Sequence, residues 1–198
     1  MEINEQNVAT LRRTIEQRIR DTPVDARQQK DFYVFSYPHW VAEFAHITEN
    51  RAWTTNTVIL AMSAMYAWMP KTVKSYIPSN LAKLPSLLNE GAPVSDIIPV
   101  AACCLSNSLV AGSKFTHCYK PEQAPILDAT LESWLWPDTP SKLATSGIRL
   151  TRYSEWMAAI AAVAAKLKQK ARQWARNAFG YDVSDVRAIE ALCFYTAR

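Results

Sequence analysis

Apolar residues return at three- and four-residue spacing along most of this 198-residue chain, which contains only four glycines. That spacing lines one face of an α-helix. A half-buried strand needs strict alternation instead, and clean alternating runs are hard to find. The expected class is therefore all-α. With 49% apolar residues and seven tryptophans, the chain has ample material for a core. A single helical domain over residues 1–198 is expected, or two small lobes with a cleft between them.

Read in order, Val8, Leu11, Ile15 and Ile19 form the inner stripe of a first helix that ends at Asp21-Thr22-Pro23. Asp25 to Lys30 is a polar connector. Phe32 to Phe35 has strand-like chemistry but is too short to make a sheet, so a second helix is expected to begin near Pro38 and carry Trp40, Val41, Phe44 and Ile47. Thr54-Thr55-Asn56 offers caps for a third helix, apolar nearly all round and hence central, which closes past Trp68 at Pro70. A shorter helix, Ser79 to Asn89, stops at Gly91. Ser95-Asp96 caps the next, expected to run through Ile97, Val100 and Leu109 to a break at Gly112. A short helix then starts at Lys114, Pro121 and Pro125 force a loop, and Asp128 caps an aromatic helix, Leu131 to Trp136, stopped by Pro137 and Pro140. A long helix from Thr151 to Ala178 follows, and then a last one capped by Ser184, with Val186, Ile189, Leu192, Cys193 and Tyr195 inward.

Cys103, Cys104, Cys118 and Cys193 lack the paired spacing of a zinc site, so no metal and no cofactor are expected, and nothing suggests a secreted disulfide framework. The polar N-terminus and the absence of any long apolar run point to a cytoplasmic protein with no membrane contact. Net charge is only +4 but unevenly placed. Between Thr139 and Gly180 eight basic residues, Lys142, Arg149, Arg152, Lys166, Lys168, Lys170, Arg172 and Arg176, face one acid, Glu155. Such a window suits a phosphate backbone, although a solvated helix face produces it too.

The chemistry concentrates at Lys114 and Asp128, fourteen residues apart. Breaking an N-glycosidic bond builds positive charge on the sugar, which an ionised carboxylate stabilises, while an amine can attack the anomeric carbon and form a Schiff base. A partly desolvated lysine and an aspartate at a helix N-terminus are suited to those tasks. The segments Val110-Ala111-Gly112-Ser113-Lys114 and Ala124-Pro125-Ile126-Leu127-Asp128 resemble two motifs of the helix-hairpin-helix DNA glycosylases, in particular the 8-oxoguanine DNA glycosylase fold. There a Gly-Val-Gly-Thr-Lys hairpin supplies the Schiff-base lysine and a Val-Pro-Val-Asp segment the catalytic aspartate. Val110 stands here in place of the first hairpin glycine, and the lysine-to-aspartate interval is shorter than in the eukaryotic enzyme.

The resemblance implies a helical DNA glycosylase, with or without lyase activity, that flips a damaged or modified base out of double-stranded DNA in repair or antiviral defence. Lys114 and Asp128 would be catalytic. Gly112 and Ser113 would hold phosphate, as would basic residues from Arg149 to Arg176, among them Arg149, Arg152, Lys166 and Lys170. Asn50 and Arg51, with Asn56, match faintly the residues that fill the gap left by a flipped base. The chain would act as a monomer. The alternatives are a non-catalytic DNA- or protein-binding module on the same scaffold, and a defence-system accessory protein with no DNA contact. His117 reads as a packed or surface histidine rather than a base, and His39 and His46 have no third partner for a metal.

Overall fold

A computed structural model describes residues 5–21, 32–67, 75–137 and 147–197. Met1 to Asn4, Thr22 and Pro23, the Asp25–Lys30 connector, Trp68, Pro70, Pro140 and Lys142 lie outside the described residues. Among those described there are nine helices and no strand: α1 (Glu5–Asp21), α2 (Phe32–Glu49), α3 (Thr55–Ala67), α4 (Pro78–Asn89), α5 (Val94–Cys104), α6 (Leu109–Tyr119), α7 (Ala129–Leu135), α8 (Gly147–Phe179) and α9 (Asp185–Ala197). None is long and apolar enough to cross a membrane.

Local chemistry explains most boundaries. Leu11 and Ile15 of α1 are buried and the turns between them carry charge. Thr54 caps α3 by accepting the Thr57 N–H. Gly91, at φ +69°, ends α4 in the left-handed conformation that glycine adopts without strain. Ser184 caps α9 through the Arg187 N–H at 3.0 Å.

Two boundaries and one burial pattern differ from expectation. The second helix begins at Phe32, so Pro38 lies inside it. Proline has no N–H to give the carbonyl four residues back, which belongs to Val34. The Tyr181 hydroxyl, from the α8–α9 connection, donates to that carbonyl at 2.6 Å and satisfies it. The fifth helix stops at Cys104 rather than running to Gly112. Ser106 and Asn107 turn the chain at φ 57° and 54°, and Ser108 starts a new helix by capping the Ala111 N–H. Gly112 therefore sits inside α6. The third helix, expected to be buried all round, keeps Val58, Met62 and Met65 inside but exposes Ile59 and Leu60.

The buried apolar side chains form two clusters. One joins α1, α7, α8 and α9 around Trp156, Ile160 and Leu192. The other joins α2 to α6 around Phe44, Met65 and Phe115. Tyr181 and Val183 pack against both, so the α8–α9 connection spans the seam.

Candidate active site

A pocket of about 210 Å³ opens where the clusters meet, lined by Tyr33 and Val34 of α2, Lys114 of α6, Ile126 and Asp128 of the following loop, and Arg187, Glu190, Ala191, Phe194 and Tyr195 of α9. It thus brings Lys114 and Asp128 together. Two further charges, Arg187 and Glu190, were not anticipated.

The loop that delivers Asp128 is fixed carbonyl by carbonyl. Ala124 O meets His117 Nδ1 at 2.6 Å, Pro125 O accepts the Tyr153 hydroxyl at 2.7 Å, and Ile126 O accepts the Trp156 indole N–H at 3.3 Å. Leu127 O lies 3.1 Å from the Ser113 hydroxyl, which also accepts the Leu127 N–H at 3.1 Å. The loop has no regular structure, yet its polar backbone is satisfied by buried side chains from α6 and α8. Asp128 then caps α7 by accepting the Leu131 N–H at 2.8 Å. Because Ser113 precedes Lys114 and Leu127 precedes Asp128, the Ser113 clamp ties the two candidate positions together directly.

Close helix packing places Lys114. A Cβ on Gly112 would come 2.9 Å from the Ala102 amide nitrogen, so only a glycine lets α6 lie this near α5. Gly112 and Ser113, expected to hold phosphate, are buried packing residues of α6. The Lys114 amine lies 5.6 Å from the centre of the Tyr33 ring, within cation–π range. Burial holds its pKa below the ordinary lysine value, against the opposing pull of Asp128, and Arg187 adds to the depression.

Arg187 and Glu190 form a hydrogen-bonded ion pair on α9, joined through Nη1 and Oε2. Burial pushes the Glu190 carboxyl up to about 7, even with Arg187 opposing, and Asp128 adds to the rise. Burial also works against the Arg187 charge, but Glu190 more than offsets it and holds the guanidinium protonated. Arg187 lies over the Tyr37 ring at 5.2 Å. Behind it, the Tyr37 hydroxyl meets His117 Nε2 at 2.8 Å. His117 Nδ1 faces a carbonyl and must donate; with the ring kept neutral by burial, Nε2 accepts from the Tyr37 hydroxyl. Burial accordingly lowers the His117 pKa to about 3. His117 is a packed histidine with a structural bond at each nitrogen.

The remaining predicted residues separate. Arg149, expected to hold phosphate, is buried and gives both Nε and Nη2 to Glu132 at 2.7 Å, pinning α8 to α7. Arg152 is half-buried, with its guanidinium 5.6 Å from the Trp136 ring. Lys166 and Lys170 are exposed on α8. Lys168 and Arg172 pair with Asp185, and Arg176 with Asp182. Asn50 and Arg51 are exposed but follow the C-terminal end of α2, about 25 Å along the helix from Tyr33 at 1.5 Å per residue. They do not line the pocket, nor does Asn56, which is exposed on α3. The four cysteines are free thiols. Among the described residues no group of three His, Cys, Asp or Glu could hold a metal ion.

The sequence did carry a signal for Glu190. Val186, Ile189, Glu190 and Cys193 fall on one face of α9, so a carboxylate stands in an otherwise apolar stripe. The chain matches no protein-family model, no curated protein and no solved structure.

Proposed function

We propose that the pocket is the base-excision site of a DNA N-glycosylase with a helix-hairpin-helix architecture. The observation that carries this reading is that Lys114 and Asp128, delivered by different elements, line one pocket of a size suited to a single heterocycle. At about 210 Å³ it falls below the range of roughly 300–1,000 Å³ typical of drug-sized ligands. Aromatic rings at Tyr33, Phe194 and Tyr195 offer surfaces for stacking an extruded base.

In this reading Lys114 is the nucleophile. Desolvation raises the share of its neutral amine, whose lone pair attacks C1′ as the bond to the base breaks. Asp128 stabilises the positive charge that develops on the sugar. Loss of a proton from the new ammonium and opening of the sugar ring then give the Schiff base. The hairpin is α5–turn–α6, and its DNA-facing tip is the Ser106–Asn107 turn rather than Gly112. Lys166 and Lys170 supply backbone attraction.

The decisive experiment measures base release from duplex oligonucleotides carrying 8-oxoguanine, hypoxanthine, 3-methyladenine or uracil, and from modified phage DNA, with borohydride trapping in parallel. Lys114→Ala and Asp128→Asn should each slow release at least about 100-fold, the scale lost when one catalytic group is removed. Release by both variants at the wild-type rate would end the proposal. Release without a trapped adduct assigns monofunctional chemistry.

One observation favours a second reading. Lys114 and Arg187 balance Asp128 and Glu190, and such a compensated charge cluster also serves as a structural joint between two cores. A non-catalytic DNA-binding module would bind duplex in a salt-sensitive way, release no base, and keep its affinity in Asp128→Asn.

A further inference from the structure

We propose that Glu190 is the acid that protonates the departing base, and that the pocket accordingly serves bases that leave as neutral heterocycles, purine-type bases foremost. The inference rests on the glycosylase reading and assigns that pocket a third catalytic residue and a substrate class.

Two carboxylates line one pocket in unlike surroundings. Asp128 is half-buried and committed to the backbone, where it accepts the Leu131 N–H at 2.8 Å. Glu190 is 1% exposed in the apolar stripe of α9, and the hydrogen bond it takes from the described residues falls on Oε2, from Arg187. Charged or titratable groups bear on it from several elements. Arg187 and Cys193 come from α9, Lys114 from α6, Asp128 from the cap of α7, Tyr37 from α2 and Tyr153 from α8. Burial outweighs its one cationic hydrogen-bond partner, so the carboxyl changes protonation near neutrality. A dry acid beside a half-buried, backbone-bonded one in the same pocket suits a division into proton donor and charge stabiliser.

The step balances without a redox partner. As the bond from Lys114 Nζ to C1′ forms and the C1′–N bond breaks, the electron pair goes to the base nitrogen. The Glu190 proton passes to a ring nitrogen of the base, which leaves neutral. The Glu190 carboxylate then takes a proton from the new ammonium at Nζ and regains its acid form. Purine-type bases, whose N7 offers a basic lone pair for the proton while the C1′–N bond is still breaking, gain most from this transfer; uracil has no such nitrogen.

Glu190→Gln tests it, because glutamine keeps an acceptor for Arg187 but carries no titrating proton. On the duplexes named above the variant should release hypoxanthine about 100-fold more slowly than wild type or worse, a general-acid-sized loss. It should lack the decline in rate expected of wild type above about pH 7, and still form the borohydride adduct on duplex with a preformed abasic site, where no base departs. The deficit should be larger on hypoxanthine than on uracil; equal deficits overturn the substrate class. A wild-type rate and pH profile in Glu190→Gln overturns the acid assignment while leaving the glycosylase reading intact. Wild-type protein that neither releases base nor traps on abasic DNA overturns both. Should Glu190→Gln fail to fold, Glu190→Asp retains an acid, and its slower release must keep the decline at high pH; a flat profile overturns the proposal.

Discussion

Single residues in this protein carry opposite pH signatures, and their signs can be worked out. An unfolded histidine takes a proton near pH 6.5, whereas His117 is held to about 3 by burial. Between those values the unfolded chain binds the extra proton, so the contribution of His117 to stability is lost as pH falls. Glu190 behaves in reverse. Its folded value of about 7 lies above the ordinary 4.5, so the native state binds the extra proton in that window. Its contribution is fully present below about 4.5 and is lost as pH rises through 7. In thermal unfolding, His117→Asn should therefore lose less Tm than wild type on going from pH 6.5 down to 4. Glu190→Gln should gain Tm relative to wild type from pH 4.5 up to 7. A gap that does not change with pH in either series contradicts the corresponding assignment. Neither pH signature can be read from the sequence: the apolar stripe marks Glu190 as an inward carboxylate, but it and His117 acquire their environments only when α2, α6, α8 and α9 meet.

At the scale of elements, the crossing of α5 and α6 is where sequence signals and structure part company most usefully. Asp128 as a cap, Gly91 as a helix stop and Ser184 as a start were legible, because each signal acts through neighbouring backbone amides. The end of α5 was not. Two non-glycine residues, Ser106 and Asn107, adopt positive φ, and the nearby glycine that looked like a break serves close packing instead. The start of α2 was hidden similarly, since Pro38 is tolerated only through Tyr181, 143 residues away. Gly112→Ala separates the two effects a glycine can have. In an open helix the change would stabilise by about 1 kcal/mol. Here the new methyl meets the Ala102 backbone at 2.9 Å, and overpacking of that kind costs about 1–3 kcal/mol. A net loss of denaturant midpoint is expected, with a fall in activity because Lys114 follows two residues later; a gain in midpoint would show that α5 and α6 can part freely. Ser113→Ala should also destabilise, by about 1–3 kcal/mol, because it strips the Leu127 N–H of its partner in a dry site. Its effect on base release should exceed its effect on duplex binding.

Across the whole molecule, two apolar cores meet at a seam that holds the charges, while most of the basic surplus lies on α8. Composition revealed that surplus but not its division of labour, because pairing partners come from elsewhere in the fold. Arg149 is consumed by Glu132, Lys168 and Arg172 by Asp185, and Arg176 by Asp182, leaving Lys166 and Lys170 exposed with no acid partner among the described residues. If DNA lies along this helix, these two lysines release counterions when it binds, and the fold barely notices their loss. The double variant Lys166→Ala/Lys170→Ala should keep the wild-type Tm, bind duplex more weakly at every sequence, and lower the slope of log affinity against log salt by about 2, roughly one per phosphate contact. Arg149→Ala makes the contrasting case. It strands the Glu132 carboxylate in the interior, for which a loss of about 3–5 kcal/mol is expected, and any weakening of DNA binding should track the unfolded fraction rather than the salt concentration. Titrating both variants with duplex at several salt concentrations distinguishes the two cases, and an unchanged salt slope in the double lysine variant would move the DNA-binding face away from α8.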